Sequence, residues 1–220
     1  MERWSGVSVQ DLINTRRSLS EDWIAYICRE VLQGLCHLHK QKVIHHDLRP
    51  QNIIVTSSAD IKITDFSSAT MGTSSVSTSG TIPYMAPEVL SNISTKIIHY
   101  NSKADIWSLG ISALEMAEGY YRKSDNFRAF IGEILQKNAA RRSSAEQLLS
   151  HPFILNISNE RGTISIYCSY SYNILCLSYI YYNSRTKAAH NKGRDCIRAE
   201  VTELGQRNKP DKMGENVNIK

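Results

Sequence analysis

The sequence predicts a mainly α domain carrying one small β-hairpin, and three observations predict it. Apolar residues Ile24, Ile27, Cys28, Val31, Leu32, Leu35 and Leu38 recur at the spacing that lines one face of a helix. A second run, Ile106, Trp107, Leu109, Ile111, Ala113, Leu114, Met116 and Ala117, leaves no polar face and predicts a helix buried on every side. Between them, two short β-branched runs, Ile53 to Thr56 and Ile61 to Thr64, flank the polar turn Ser57-Ser58-Ala59-Asp60, which is the pattern of a hairpin.

Taken in order, the first helix begins at Ser20, whose hydroxyl suits the N-cap, with Glu21 and Asp22 at the positive end of the dipole. Val43-Ile44 then leads into His45-His46-Asp47 and the hairpin. Residues 67 to 81 are dominated by Ser, Thr and Gly and read as a mobile loop. Asp105 is the expected cap of the second helix, which should form the axis of the core. Phe127, Phe130, Ile131, Ile134 and Leu135 make a third helical stripe. Ser143 and Glu146 have capping-box spacing ahead of Leu148-Leu149.

After Phe153 the composition changes: residues 163 to 184 are uncharged and crowded with Tyr, Ser and Ile, and residues 185 to 220 are polar without periodicity. Residues 156–220 are therefore expected to be an unassigned tail, disordered or unrelated to the domain before it. The serines and Asn173 keep the uncharged stretch well short of an apolar membrane span.

With 220 residues and 41% hydrophobic content the chain is long enough for one buried core. Its charge of +5 is spread along the sequence, and the one basic stretch, Arg185 to Arg198, lacks aromatic interleaving, so no nucleic-acid partner is expected. Five cysteines without a C-x-x-C pair predict neither a disulfide framework nor a zinc site. Met1-Glu2-Arg3-Trp4 is followed by polar residues rather than an apolar run, which argues against a secretory signal and for a cytoplasmic protein with reduced thiols.

Four short motifs carry the chemistry, in this order: His45-His46-Asp47-Leu48-Arg49-Pro50-Gln51-Asn52, Asp65-Phe66-Ser67, Ala86-Pro87-Glu88, and Asp105-Ile106-Trp107-Ser108-Leu109-Gly110. Any one occurs by chance; all four in this order do not. Together they resemble the protein-kinase set H-R-D-x-K-x-x-N, D-F-G, A-P-E and D-x-W-S-x-G. Met1-Glu2-Arg3-Trp4-Ser5-Gly6, with Ser8 and Asp11-Leu12-Ile13, and Ser20 to Glu30 resemble more narrowly the germinal-centre kinases of the MAP kinase kinase kinase kinase type.

The resemblance implies a partial protein kinase domain over residues 1–155: hinge, catalytic loop, activation loop and helices of a C-terminal lobe. It implies transfer of the ATP γ-phosphate to Ser or Thr of a protein substrate, with ATP and Mg2+ as cofactors. Asp47 would orient the acceptor hydroxyl and take its proton, Arg49 would neutralise the γ-phosphate where the family carries Lys, and Asn52 and Asp65 would hold magnesium through hard oxygen donors. Glu2 and Trp4 would offer hinge backbone groups to adenine, and Ile54 would floor the ring. Glu88 would pair with Arg142, Asp105 would anchor the catalytic loop, and Thr81 would contact Asp47, favouring Ser/Thr over Tyr as acceptor.

The sequence also departs from the pattern. The N-terminal lobe with its glycine-rich loop, strand lysine and helix-C glutamate is missing, as is the helix G region, where Tyr120 to Asn126 alone stand between Glu118-Gly119 and the Phe127 helix. Ser67 replaces the glycine of D-F-G, which makes backbone flips costlier, and His46 replaces the arginine of H-R-D. Two readings follow: a kinase that transfers phosphate when its missing lobe is present, or a non-catalytic kinase-like module that acts through partner proteins.

Overall fold

The computed structural model describes residues 6–95, 100–118, 123–157 and 160–168. These form a mainly helical fold, as expected, with two small antiparallel sheets where the sequence predicted a single hairpin. Strand β1 (Gly6–Ser8) runs into helix α1 (Val9–Arg16), and α2 (Glu21–Lys40) follows. Then come β2 (Val43–Ile44), β3 (Ile53–Thr56), β4 (Ile61–Ile63), β5 (Thr70–Met71), α3 (Pro87–Thr95), α4 (Lys103–Met116), α5 (Asp125–Ile134), α6 (Ala145–Leu148) and α7 (Pro152–Leu155).

Helix α2 forms as its sequence predicts. Ser20 accepts from the Trp23 N–H at the N-cap, and Ile24, Ile27, Cys28, Val31, Leu32 and Leu35 are buried. Its apolar face packs against α4, α6, α7 and the β3–β4 hairpin. Burying each of these side chains contributes about 1.5–3 kcal/mol before conformational entropy is counted.

The hairpin register sets Ile53 opposite Ile63, so residue 52 and residue 64 leave the ladder side by side. A third strand, unforeseen from the sequence, lies against it: β1 pairs with β3, placing Ser8 opposite Ile54. Ser8 then caps α1 through a full capping box with Asp11, so the Ser-x-x-Asp spacing ahead of Leu12-Ile13 was a legible start signal.

Three local expectations are corrected. Asp105 does not cap α4; Ser102 takes that position and Asp105 turns inward from the first turn, fully buried, with partners outside its own helix. Helix α4 is also not buried on every side, because Leu114 is exposed while Ile106, Leu109, Ala113 and Met116 face the core. The capping box ahead of α6 is one residue later than the spacing suggested, formed by Ser144 and Gln147. Gly110 lets α5 approach α4 closely: a Cβ there would lie 2.1 Å from a methyl of Ile134.

Packing continues past residue 155, where the sequence places a boundary. Residues 161–168 are helical, with Ile164 and Cys168 fully buried. Tyr167 meets Trp23 edge to face, and the Arg16 guanidinium sits 4.5 Å and 4.3 Å from the Trp23 and Tyr167 ring centroids. Arg161 pairs with Asp60 at 2.6 Å and Ser165 donates to the Ser57 carbonyl, so this helix grips the hairpin turn. The physical reason is spacing: Ile164, Tyr167 and Cys168 stand three and four apart on one helical face. Most of the uncharged stretch, and everything from residue 169 on, lies outside the described residues, among which no helix is long and apolar enough to cross a membrane.

Candidate active site

The loop between β2 and β3 is shaped by a carboxylate from α4. Asp105 accepts the His46 N–H on Oδ1 at 2.9 Å, and on Oδ2 the His45 N–H at 3.0 Å and His39 Nε2–H at 2.9 Å. Burial pushes the Asp105 carboxyl up, but these hydrogen bonds outweigh it and hold it below the usual carboxylate range. His45 in turn donates from Nε2 to the Thr64 carbonyl at 3.0 Å and accepts the Asp47 N–H on Nδ1 at 3.3 Å. A carbonyl only accepts and an amide N–H only donates, so these partners fix the His45 tautomer. His46 completes the loop at φ 69°, in the left-handed region, a cost that the surrounding bonds offset.

That backbone presents Asp47 with its carboxylate held from both sides. Thr81 donates to Oδ1 at 2.6 Å; Asn52 donates from Nδ2 to the Asp47 carbonyl at 2.8 Å and to Oδ2 at 3.1 Å. Arg49 donates to Thr81 Oγ1 at 3.1 Å, while its Nε lies 4.0 Å from Asp47 Oδ2, in ion-pair range but too far for a hydrogen bond. This Nε is buried without a hydrogen-bond partner. An orphaned guanidinium N–H beside the carboxylate is a group suited to an incoming anion. The side-chain bonds of Asn52 use its Nδ2, leaving its Oδ1 as a hard donor suited to magnesium.

Asp65 stands where the hairpin delivers it. Thr64 donates its N–H and its hydroxyl to the Asn52 carbonyl at 2.9 Å and 3.1 Å, bringing Asp65 to the strand end next to Asn52. Asp65 is exposed, has φ 60°, and accepts from Ser67 Oγ at 2.6 Å and Ser67 N at 3.3 Å. Those two bonds lower its pKa, so it is a carboxylate at neutral pH. Ser67 itself does not adopt a positive φ; the strained backbone lies at Asp65. No group of three His, Cys, Asp or Glu side chains able to hold a metal occurs among the described residues. A cation between Asn52 and Asp65 would therefore draw most of its oxygens from phosphate and water, as magnesium does.

Of the sequence-predicted site residues, Asp47, Arg49 and Asn52 come together with Thr81, and Asp65 joins them across the hairpin. Ile54 lies in the middle of the three-stranded sheet, half-buried. Glu2 and Trp4 lie outside the described residues. Glu88 and Arg142 pair in two parallel bonds of 2.7 Å and 3.1 Å, and Arg142, 1% exposed, spends its remaining donors on the Lys103 and Gln136 carbonyls. Two contributors were missed from sequence. The role of His45 was signalled by the His-His doublet before Asp47; Tyr100, which bonds His46, carried no signal.

Comparison with known proteins agrees with the motifs. A model described as the protein kinase domain matches residues 1–122. The chain is 38% identical over 193 residues to the serine/threonine-protein kinase mig-15 of Caenorhabditis elegans, covering 73% of this chain and 18% of that protein. It is 38% identical over 196 residues to Nik-related protein kinase of Mus musculus, covering 74% and 13%, and 39% identical over 192 residues to Misshapen-like kinase 1 of Rattus norvegicus, covering 73% and 14%. The chain spans less than a fifth of the length of these relatives. The aligned positions also outnumber the residues of this chain they cover, so the relatives carry additional residues inside the matched span. On the strength of the domain match the chain belongs to the protein kinase family, and the relatives it resembles are serine/threonine kinases of the germinal-centre, MAP kinase kinase kinase kinase type.

Proposed function

We propose that residues 1–155 form the C-terminal lobe of a protein serine/threonine kinase and that Asp47 serves transfer of the ATP γ-phosphoryl group to a Ser or Thr hydroxyl. The observation that carries this reading is the Asp47 carboxylate clamped between Thr81 and Asn52, with Arg49 Nε, which has no hydrogen-bond partner, beside it. A carboxylate so held is oriented to accept a hydroxyl proton and to aim the oxygen. Arg49 supplies a permanent cation for the charge that develops on the transferring group. Asn52 and Asp65 offer an amide oxygen and a carboxylate as hard donors. Magnesium-bound ATP would supply the transferable phosphoryl group and the cation that neutralises its oxygens. Ile54 would floor the adenine site, with Glu2 and Trp4 as its hinge contacts.

Only eight residues, 117 to 124, connect α4 to α5, which supports loss of the helix G region. The second reading, a binding module without catalysis, draws on Ser67, whose hydroxyl already occupies Oδ1 of the Asp65 carboxylate.

The two are separated on the full chain by thermal melting with Mg-ATP together with phosphorylation of a generic protein substrate. Wild type is expected to melt higher as Mg-ATP rises, by mass action. Asp47→Asn should keep that shift and lose transfer by at least about 10²-fold; Asp65→Asn should lose both. Absence of any shift in wild type at millimolar Mg-ATP overturns the catalytic reading for this chain and leaves the binding module.

A further inference from the structure

Next to Asp47 lies a second set of bonds, centred on His46. The ring is buried, at 8% exposure, and both nitrogens are engaged: Nε2 is 2.7 Å from Thr70 Oγ1 and Nδ1 is 2.9 Å from the Tyr100 hydroxyl. The two rings meet edge to face, with centroids 5.4 Å apart. The Tyr100 hydroxyl also reaches the Ser77 carbonyl.

Donor and acceptor chemistry fixes the direction of this chain of bonds. The Ser77 carbonyl can only accept, so the phenolic hydrogen belongs to that bond, and His46 Nδ1–H must supply the hydrogen shared with the Tyr100 oxygen. This holds whether the imidazole is neutral or protonated. In the neutral form Nε2 is an acceptor and takes the Thr70 hydroxyl hydrogen, so the hydrogens run one way, from Thr70 through His46 and Tyr100 to Ser77. The ionisable groups around His46 are Asp105, which accepts its backbone N–H, His45 and Tyr100 itself. Burial lowers the imidazole pKa most; Asp105 opposes this and His45 adds to it, which keeps the neutral form at pH 7.

The segment is tied down at its start by β5, where Thr70 and Met71 pair with Ile44 and Val43 of β2, and by the Gly72 N–H bond to the Lys42 carbonyl at 2.7 Å. Between Thr70 and Thr81 most side chains are in solvent, Met71 at 77%, and Ser75 is the buried exception. Ser75 pairs with Tyr100 through the backbone, N–H to carbonyl in both directions at 2.8 Å and 3.0 Å. Gly80, at φ +119°, crosses His46 so closely that a Cβ would lie 2.4 Å from the His46 carbonyl oxygen. Thr81, which clamps Asp47, follows directly.

We infer that Tyr100 and His46 form a latch that pins residues 70–81 onto the catalytic loop through hydroxyl and imidazole groups, positioning Thr81 against Asp47 without any phosphate on the segment. The regulatory meaning of the latch rests on the kinase reading above, since it places the residue that clamps Asp47; its existence does not. Tyr100 is a positioning residue, acting on Asp47 through His46 and Thr81.

Hydrogen–deuterium exchange of the full chain at neutral pH, read by mass spectrometry after phosphatase treatment, tests it and needs neither ATP nor activity. Tyr100→Phe keeps the ring and removes only the hydroxyl; it is expected to speed exchange across 70–81 roughly five- to tenfold, the worth of about one hydrogen bond, and to leave α2 and α4 unchanged. Thr70→Val, should Tyr100→Phe fail to fold, carries the same expectation. The two substitutions together are expected to fall short of the product of their separate effects, because both act through His46. Exchange within twofold of wild type in both variants overturns the latch. So does loss of protection on phosphatase treatment of the wild-type chain, which would show that a phosphate holds the segment. A chain without Mg-ATP binding that still shows the expected exchange keeps the latch and loses the catalytic reading.

Discussion

Replacing Asp105 by Asn tests the claim that a helix carboxylate shapes the β2–β3 loop. The side chain is fully buried and serves three donors, the His46 N–H on one oxygen and the His45 N–H and His39 Nε2–H on the other. Asn retains one carbonyl oxygen, which can keep His46; its amide nitrogen then faces the His45 N–H as a second donor. One buried N–H is left without an acceptor, and the remaining bonds lose their charge assistance, while His39 can switch tautomer and recover part of the loss. With charged hydrogen bonds worth about 1.5–3 kcal/mol each, the net cost is about 2–4 kcal/mol at pH 7. Urea unfolding followed by tryptophan fluorescence measures it by linear extrapolation. The pH dependence carries a sign. Asp105 is held below the usual range in the folded chain, so its contribution is complete above the unfolded value of about 3.9 and is lost as pH falls through the folded one. The gap between wild type and Asp105→Asn should be flat from pH 7 to 5 and should close below about pH 4. A gap under about 0.5 kcal/mol at pH 7, within the range of an ordinary surface substitution, would refute the reasoning. So would a gap that persists unchanged at the lowest pH where both chains fold.

Two further substitutions bear on the scaffold. Arg142→Met should cost about 3–5 kcal/mol, because it strips the partner from Glu88 and orphans the Lys103 and Gln136 carbonyls; Glu88→Gln, which leaves those carbonyls bonded, should cost less in the same unfolding assay. Ile164→Ala should cost about 2–4 kcal/mol through the cavity it leaves, read as a lower thermal midpoint. A loss below about 0.5 kcal/mol there would show that residues 160–168 contribute nothing to the fold.

Helix α2 was legible because its cap, its acidic first turn and its apolar stripe all agree, and local signals that agree survive tertiary packing. The hairpin was legible for the same reason. Strand β1 was not: three residues that begin with Gly6 have no pattern of their own and become a strand only because β3 offers an edge. Asp105 shows the limit of propensity reading. An aspartate near a helix start looks like a cap; the family resemblance instead assigned Asp105 to anchoring the loop, and its acceptors do serve the backbone of His45 and His46, some sixty positions earlier. In the site, Asp47, Asn52 and Asp65 came from motif order. The tyrosine at 100 could not be read, since its meaning depends on which atoms of His46 remain to be satisfied.

The helix over residues 161–168 touches the hairpin at its turn, where Arg161 meets Asp60 and Ser165 meets Ser57. Asn52 and Asp65 flank the opposite, open end of the same two strands. Four residues of β-strand span only about 13 Å and bend little along their length. The hairpin thus behaves as a short stiff beam, clamped at one end by a segment remote in sequence and bearing the side-chain oxygens of Asn52 and Asp65, proposed above to hold the cation, at the other. Whatever loosens the clamp tilts the beam, and the spacing of those oxygens shifts with it.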